Sequence, residues 1–87
     1  MQKILYQLDY EVKALYELKE TIQRQQNTLE KMSEDCERVG PAMDWLREIT
    51  HAIYKIMEIS LNKCEHLISI YSQTAEHVRM RQSQERR

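Results

Sequence analysis

The chain has 87 residues, a formal net charge of -1, and a composition that is 41% hydrophobic and 31% charged. This length allows one small domain, the balanced charge favours neither nucleic acid nor anionic lipid as a partner, and no apolar run approaches the roughly 20 residues that cross a bilayer. Many Glu, Gln, Lys, Arg and Leu residues beside a single Gly and a single Pro are typical of long helices. We expect an all-α protein without membrane insertion.

The first nine residues allow two interpretations. Ile4, Leu5 and Leu8 are apolar, and Asp9 is a good helix N-cap. The helix begins near Gln2, or a short extended arm precedes a helix that Asp9 caps. We favour the second interpretation, which places helix 1 at about residues 10–39. The N-terminus has no signal-peptide core, so we expect a cytoplasmic protein, or one secreted without a cleaved signal peptide.

Helix 1 carries two interleaved series of residues at seven-residue spacing. This pattern predicts one seam, a line of side chains facing a single partner helix. The first series is Leu8, Leu15, Ile22, Leu29 and Cys36, and the second is Leu18, Gln25, Met32 and Val39, with Gln25 as a polar interruption.

Gly40 and Pro41 are the only glycine and proline, and they are adjacent. Glycine reaches the backbone conformation that ends a helix, and proline is tolerated in the first turn of the next one. We therefore predict a hinge at residues 40–41, helix 2 at about residues 42–78, and an antiparallel two-helix hairpin over residues 1–78. Residues 79–87 are polar and are expected to fray.

Helix 2 also carries a seam, which consists of Ala42, Leu46, Ile49, Ile53, Ile56, Ser60, Cys64, Leu67, Tyr71, Thr74 and Val78. Folding at the hinge pairs Met32 with Ile49, Leu29 with Ile53, Leu18 with Cys64 and Leu15 with Leu67. The same register separates Cys36 from Cys64 by about 28 Å along the axis, so we expect two free, buried cysteines and no bridge between them.

Helix 2 has more apolar surface than one neighbour can cover. Its apolar arc is roughly 220° wide, whereas a helix with one packed face needs little more than 100°. A second hairpin that completes a four-helix bundle would cover the excess. The predicted interface is Trp45, Ile49, Ala52, Ile56, Ile59 and Ile70.

The sequence carries no spacing of residues that is typical of a catalytic or metal site. His51, His66 and His77 lack the i,i+4 spacing of metal ligands, and neither cysteine has ligand spacing to a histidine. Glu58 and Glu65 share a polar arc without a Glu-x-x-His motif. We expect no catalytic, cofactor or metal site.

Four features of the sequence resemble the WXG-type family, small helical hairpins exported by type VII (ESX-like) secretion systems. They are the apolar start Ile4-Leu5-Tyr6-Gln7-Leu8-Asp9, a length suited to two helices, the hinge tryptophan Trp45, and the stretch 67–76. In the family a Tyr followed by an acidic residue belongs to the export signal, which the resemblance assigns here to Tyr71 and Glu76. The chain departs from the pattern, since Gly40 precedes Trp45 and Ala75 occupies the usual acidic position. These departures favour a divergent relative that pairs with a larger toxin or a sister hairpin.

The leading hypothesis is a non-enzymatic binding protein that pairs with another helical hairpin protein, such as the N-terminal helical domain of a secreted toxin. The alternative is a homodimeric four-helix bundle that acts as a cytosolic secretion chaperone or structural adaptor. RNA binding through the arginines of the C-terminal tail is a third class, which the balanced charge disfavours. Those arginines are Arg79, Arg81, Arg86 and Arg87.

Overall fold

The computed structural model describes residues 2–85 as two long helices joined by a short turn. Helix α1 is Gln2–Val39 and helix α2 is Asp44–Glu85, with a 3₁₀ turn at Pro41–Met43 between them. Within the described residues only Gly40 is not helical. The two helices pack against each other, which confirms the all-α class and the helical hairpin.

Both helices extend further than the sequence suggested. Helix α1 begins at Gln2, which corrects the favoured start at Tyr10. Asp9 lies inside the helix, and its carboxylate accepts a hydrogen bond from the Arg79 guanidinium at 2.7 Å instead of capping a helix end. Helix α2 continues to Glu85, where the sequence favoured a frayed tail. The predictions made for Met1, Arg86 and Arg87 lie outside the described residues.

The turn at Gly40 depends on a backbone conformation that other residues avoid. Gly40 has a φ of +105° and a ψ of -163°, a region that is essentially restricted to glycine. Its N–H donates to the Cys36 carbonyl at 3.2 Å, and its carbonyl accepts from the Met43 N–H at 3.0 Å. Pro41 follows at the start of the 3₁₀ turn, where its missing N–H costs nothing. The chain therefore reverses at residues 40–41.

The chain divides into two compact units, each with a segment of α1 packed on a segment of α2. The hinge unit is residues 20–62, and the terminal unit combines the two ends of the chain, described here as residues 2–19 and 63–85. The buried side chains of the hinge unit are Gln26, Leu29, Cys36 and Thr50, and those of the terminal unit are Cys64, Ile68 and Ala75. Both cysteines are free and buried.

Half of the predicted seam on α1 faces outward. Leu29 and Cys36 are buried as expected, but Leu18, Gln25, Met32 and Val39 are exposed. In the hinge unit, Gln26 and Ser33 occupy the second line of the seam, one position after the expected residues. The polar residue in the seam is therefore Gln26 and not Gln25.

On α2 as well, several buried residues lie one position after the predicted seam residues. Cys64 is buried and Leu46, Ser60, Tyr71 and Val78 are half-buried, but the other predicted seam residues are exposed: Ala42, Ile49, Ile53, Ile56, Leu67 and Thr74. Thr50, Ile68 and Ala75 are buried instead. The expected pairs Met32–Ile49 and Leu29–Ile53 thus do not form the core. The face of α2 that packs on α1 mixes side-chain sizes, since Thr50 and Ala75 lie on it with Ile68 and with the half-buried Tyr54, Met57 and Leu61.

Candidate functional site

One side of the hinge unit is polar and holds α1 and α2 together. The Tyr54 hydroxyl donates to the Glu30 carboxylate at 3.0 Å, and Arg47 contacts Glu37 at 3.6 Å and Asp44 at 3.7 Å. The hydrogen bond to Glu30, together with the negative charge of that carboxylate, raises the pKa of Tyr54. The phenol therefore remains a hydrogen-bond donor across the physiological pH range.

A shallow, open cleft lies on this polar side. The residues that line it are Leu29, Glu30, Ser33, Thr50, His51 and Tyr54. The Glu30 carboxylate is occupied by Tyr54, and the Thr50 hydroxyl donates to the Leu46 carbonyl at 2.7 Å within its own helix. Of these two hydrogen bonds, only that between Tyr54 and Glu30 joins the two helices.

A line of apolar residues on α2, which we call the α2 stripe, is left open on the hinge unit. Three of its members are more than half exposed: Trp45 at 60%, Ile56 at 63% and Ile59 at 57%. Ile49 is 49% exposed and Ala52 is also exposed. The five positions follow each other at spacings of four and three residues, which is the spacing of a helix–helix seam. The α2 stripe is thus a second, unfilled seam on the same helix.

Helix α1 contributes apolar surface beside the α2 stripe. Met32 and Val39 are exposed, as is Ile53 on α2. Projected at about 100° per residue, Met32, Val39, Ile53 and Ile49 are displaced from their seams toward one side of the hinge unit, and the rest of the α2 stripe continues around α2 toward the face opposite α1. The residues of the polar side, such as Glu30, Arg47 and His51, are displaced the other way. The hinge unit therefore has one polar side and one apolar side.

Ile70, the sixth predicted interface residue, lies in the terminal unit. It is 44% exposed, and Leu67 beside it is exposed as well. On α2, Lys63 and His66 occupy the positions at which the spacing of the α2 stripe would continue toward Ile70. The continuous apolar line therefore consists of the five residues from Trp45 to Ile59.

The two residues of the candidate export signal have different surroundings. Tyr71 is half-buried and lines a small cleft with Ile4, Leu8 and Glu11 of α1. Glu76 is exposed and contacts Arg79 at 3.7 Å. Five helical positions separate them by about 140° around the axis. Tyr71 and Glu76 thus do not form one contiguous patch on α2.

Of the two described arginines that were considered for RNA binding, Arg81 is exposed and Arg79 is engaged within the terminal unit. Arg79 contacts both Asp9 and Glu76. Over residues 2–85 no group of three or more His, Cys, Asp or Glu residues is placed to hold a metal ion. Over the same range neither helix has a segment long and apolar enough to span a bilayer.

Comparison with known proteins identifies no relative of this chain. No protein-family model matches the chain, and no curated protein or solved structure matches it either. The geometry of the two units is therefore the basis for a functional assignment.

Proposed function

We propose that this chain is a non-enzymatic binding protein whose α2 stripe packs against another helical protein. The observation that carries the proposal is the stripe itself, in which Trp45, Ile49, Ala52, Ile56 and Ile59 keep seam spacing and remain exposed. Contiguous apolar surface of this kind marks interaction sites in soluble proteins. A regular helical stripe fits a helix better than it fits an irregular loop.

The small core of the hairpin supports the proposal on energetic grounds. Among the described residues, the buried hydrophobic side chains are Leu29, Cys36, Cys64, Ile68 and Ala75. Three of these five are small, whereas the open stripe contains one tryptophan and three isoleucines. Full burial of a large aliphatic side chain contributes about 1.5–3 kcal/mol. A partner helix on the stripe would therefore add as much apolar burial as several residues of the internal core.

The resemblance to WXG-type proteins suggests the class of partner. In that reading the partner is a type VII secretion substrate, or a sister hairpin that completes a four-helix bundle and helps to present a composite export signal. Tyr71 and Glu76 would belong to that signal. Trp45 opens the α2 stripe, immediately after the turn, and would act as the large aromatic anchor that interfaces favour.

Co-expression with the proteins encoded beside this chain tests the proposal. We expect a stable complex that the double variant Ile56→Asp, Ile59→Asp abolishes, because two carboxylates would be buried without partners. Circular dichroism should show the same helicity as the parent chain, since both side chains are exposed.

Met80→Asp is the matched control. Met80 lies on the same helix but outside the α2 stripe. Its exposed fraction of 54% is similar to the 57% of Ile59. The control variant should retain the complex. A complex that survives the double variant, or one that Met80→Asp disrupts equally, would contradict an interface at the stripe.

A further inference from the structure

The residues that flank the α2 stripe carry information about the partner's identity. In heptad terms Ile49 and Ile56 are a positions, and Trp45, Ala52 and Ile59 are d positions. The g positions beside them are Glu48 and Lys55, which are both exposed and make no ion pair with any described residue. Flanking charges of this kind set partner choice and orientation in helix pairs.

These charges are complementary to those of a second copy that runs in the opposite direction. When one helix of a pair is reversed, its g positions face the g positions of the other helix. Glu48 then lies opposite Lys55 of the second copy, and Lys55 lies opposite Glu48, so that one register makes two ion pairs. In a parallel pair the g positions face e positions, where Ile53 and Ser60 offer no opposite charge.

The apolar residues of the α2 stripe select the same register. In an antiparallel pair the a positions of one helix pack against the d positions of the other. The register with Glu48 opposite Lys55 therefore places Trp45 against Ile56 of the second copy and Ile49 against Ala52. The twofold axis of this register passes between Thr50 and His51, and the small side chain of Ala52 faces the larger Ile49 in the two layers nearest the axis. A single axis thus satisfies both the charged and the apolar residues, as an isologous interface requires.

We propose that the occupant of the α2 stripe is a second copy of this chain, packed antiparallel through α2 about a twofold axis between Thr50 and His51. The proposal rests on the proposed function, since it names the helical partner for the same surface. The polar side of the hinge unit, with Tyr54 and Arg47, remains open to solvent in this pairing.

Charge exchange between two variants tests the register. In Glu48→Lys both ion pairs become pairs of positive charges, and in Lys55→Glu both become pairs of negative charges. We expect each single variant to have a dimer dissociation constant about tenfold weaker than the parent chain in sedimentation equilibrium, since exposed pairs are individually weak. The double variant should recover the parent value. An equimolar mixture of the single variants should form the mixed dimer in preference to either homodimer, which native mass spectrometry resolves when one variant is labelled with nitrogen-15.

Glu34→Lys and Lys31→Glu are controls with the same changes in net charge on exposed positions of α1, and they should leave the dissociation constant unchanged. A dimer that is indifferent to the charge exchange overturns the antiparallel register. A chain that stays monomeric at high micromolar concentration overturns the second copy as occupant. In that case the proposed function still stands if Ile56→Asp, Ile59→Asp releases a different helical protein, and it fails together with the inference if the double variant changes no association.

Discussion

At the scale of single residues, Gly40 determines where the chain reverses. It carries the one positive φ among the described residues, and a β-carbon built on it would meet no atom within 4 Å. Glycine is therefore required at this position by the backbone conformation and not by steric crowding. The hydrogen bonds from Gly40 to Cys36 and from Met43 to Gly40 hold that backbone in place.

Replacing Gly40 with alanine tests this account. We expect Gly40→Ala to lower the free energy of unfolding by about 1–3 kcal/mol, the cost of holding a residue with a β-carbon in this region. Urea denaturation at fixed protein concentration, followed by circular dichroism, measures the change. Pro41→Ala, in which the backbone remains helical, is the control and should cost under about 1 kcal/mol. Equal effects of the two substitutions would argue against backbone strain at Gly40.

At the scale of the helices, α2 packs on α1 through a face that is displaced by one residue from the face that the sequence suggested. Thr50, Cys64 and Ala75 are buried, whereas Ile49 and Ile56 are exposed. Adjacent residues therefore have opposite surroundings. Ala75 is 2% exposed in the terminal unit, and Thr74 beside it is exposed, with its hydroxyl donating to the carbonyl of Ile70 at 2.8 Å in its own helix.

Leucine at each of these two positions distinguishes the observed seam from the one that the sequence suggested. Ala75→Leu should lower the free energy of unfolding by about 1–3 kcal/mol, because the larger side chain overpacks a filled site. Thr74→Leu should change it by under about 0.5 kcal/mol, as surface substitutions do. Thermal or urea denaturation measures both. The reverse order of effects would place Thr74 in the seam and reject the observed rotation of α2.

At the scale of the whole molecule, the apolar side of the hinge unit is the feature that a hairpin alone does not explain. The same helix supplies a filled seam toward α1 and the open α2 stripe, so the chain presents surface for association in addition to its own core. Stability of such a chain is tied to its assembly, because a partner that binds only the folded state shifts unfolding by mass action.

A dependence of thermal stability on protein concentration is therefore expected. For a dimer that unfolds to monomers, each tenfold rise in concentration adds about 1.4 kcal/mol per mole of dimer. Differential scanning calorimetry over two decades of concentration should show a rising Tm for the parent chain. The rise should disappear in Ile56→Asp, Ile59→Asp. A parent Tm that is independent of concentration would mean that the isolated chain does not self-associate.

The reversal at Gly40 and the two helices on either side of it could be read from the residues alone. They depend on local chemistry, since one glycine and one proline interrupt an otherwise helix-favouring chain. The start of α1 could not be read in this way. Asp9 has the properties of an N-cap, but its contact with Arg79 comes from the distant end of the chain.

The direction in which each helix faces was decided only in the tertiary structure. The apolar arc of α2 is wide enough for several rotations to bury a similar number of residues, so periodicity does not choose among them. The choice depends on which side chains interlock across the pair, and the α2 residues that become buried are Thr50, Cys64, Ile68 and Ala75. That rotation turns Ile49 and Ile56 outward beside Trp45 and Ile59, and it creates the α2 stripe on which the proposed function depends.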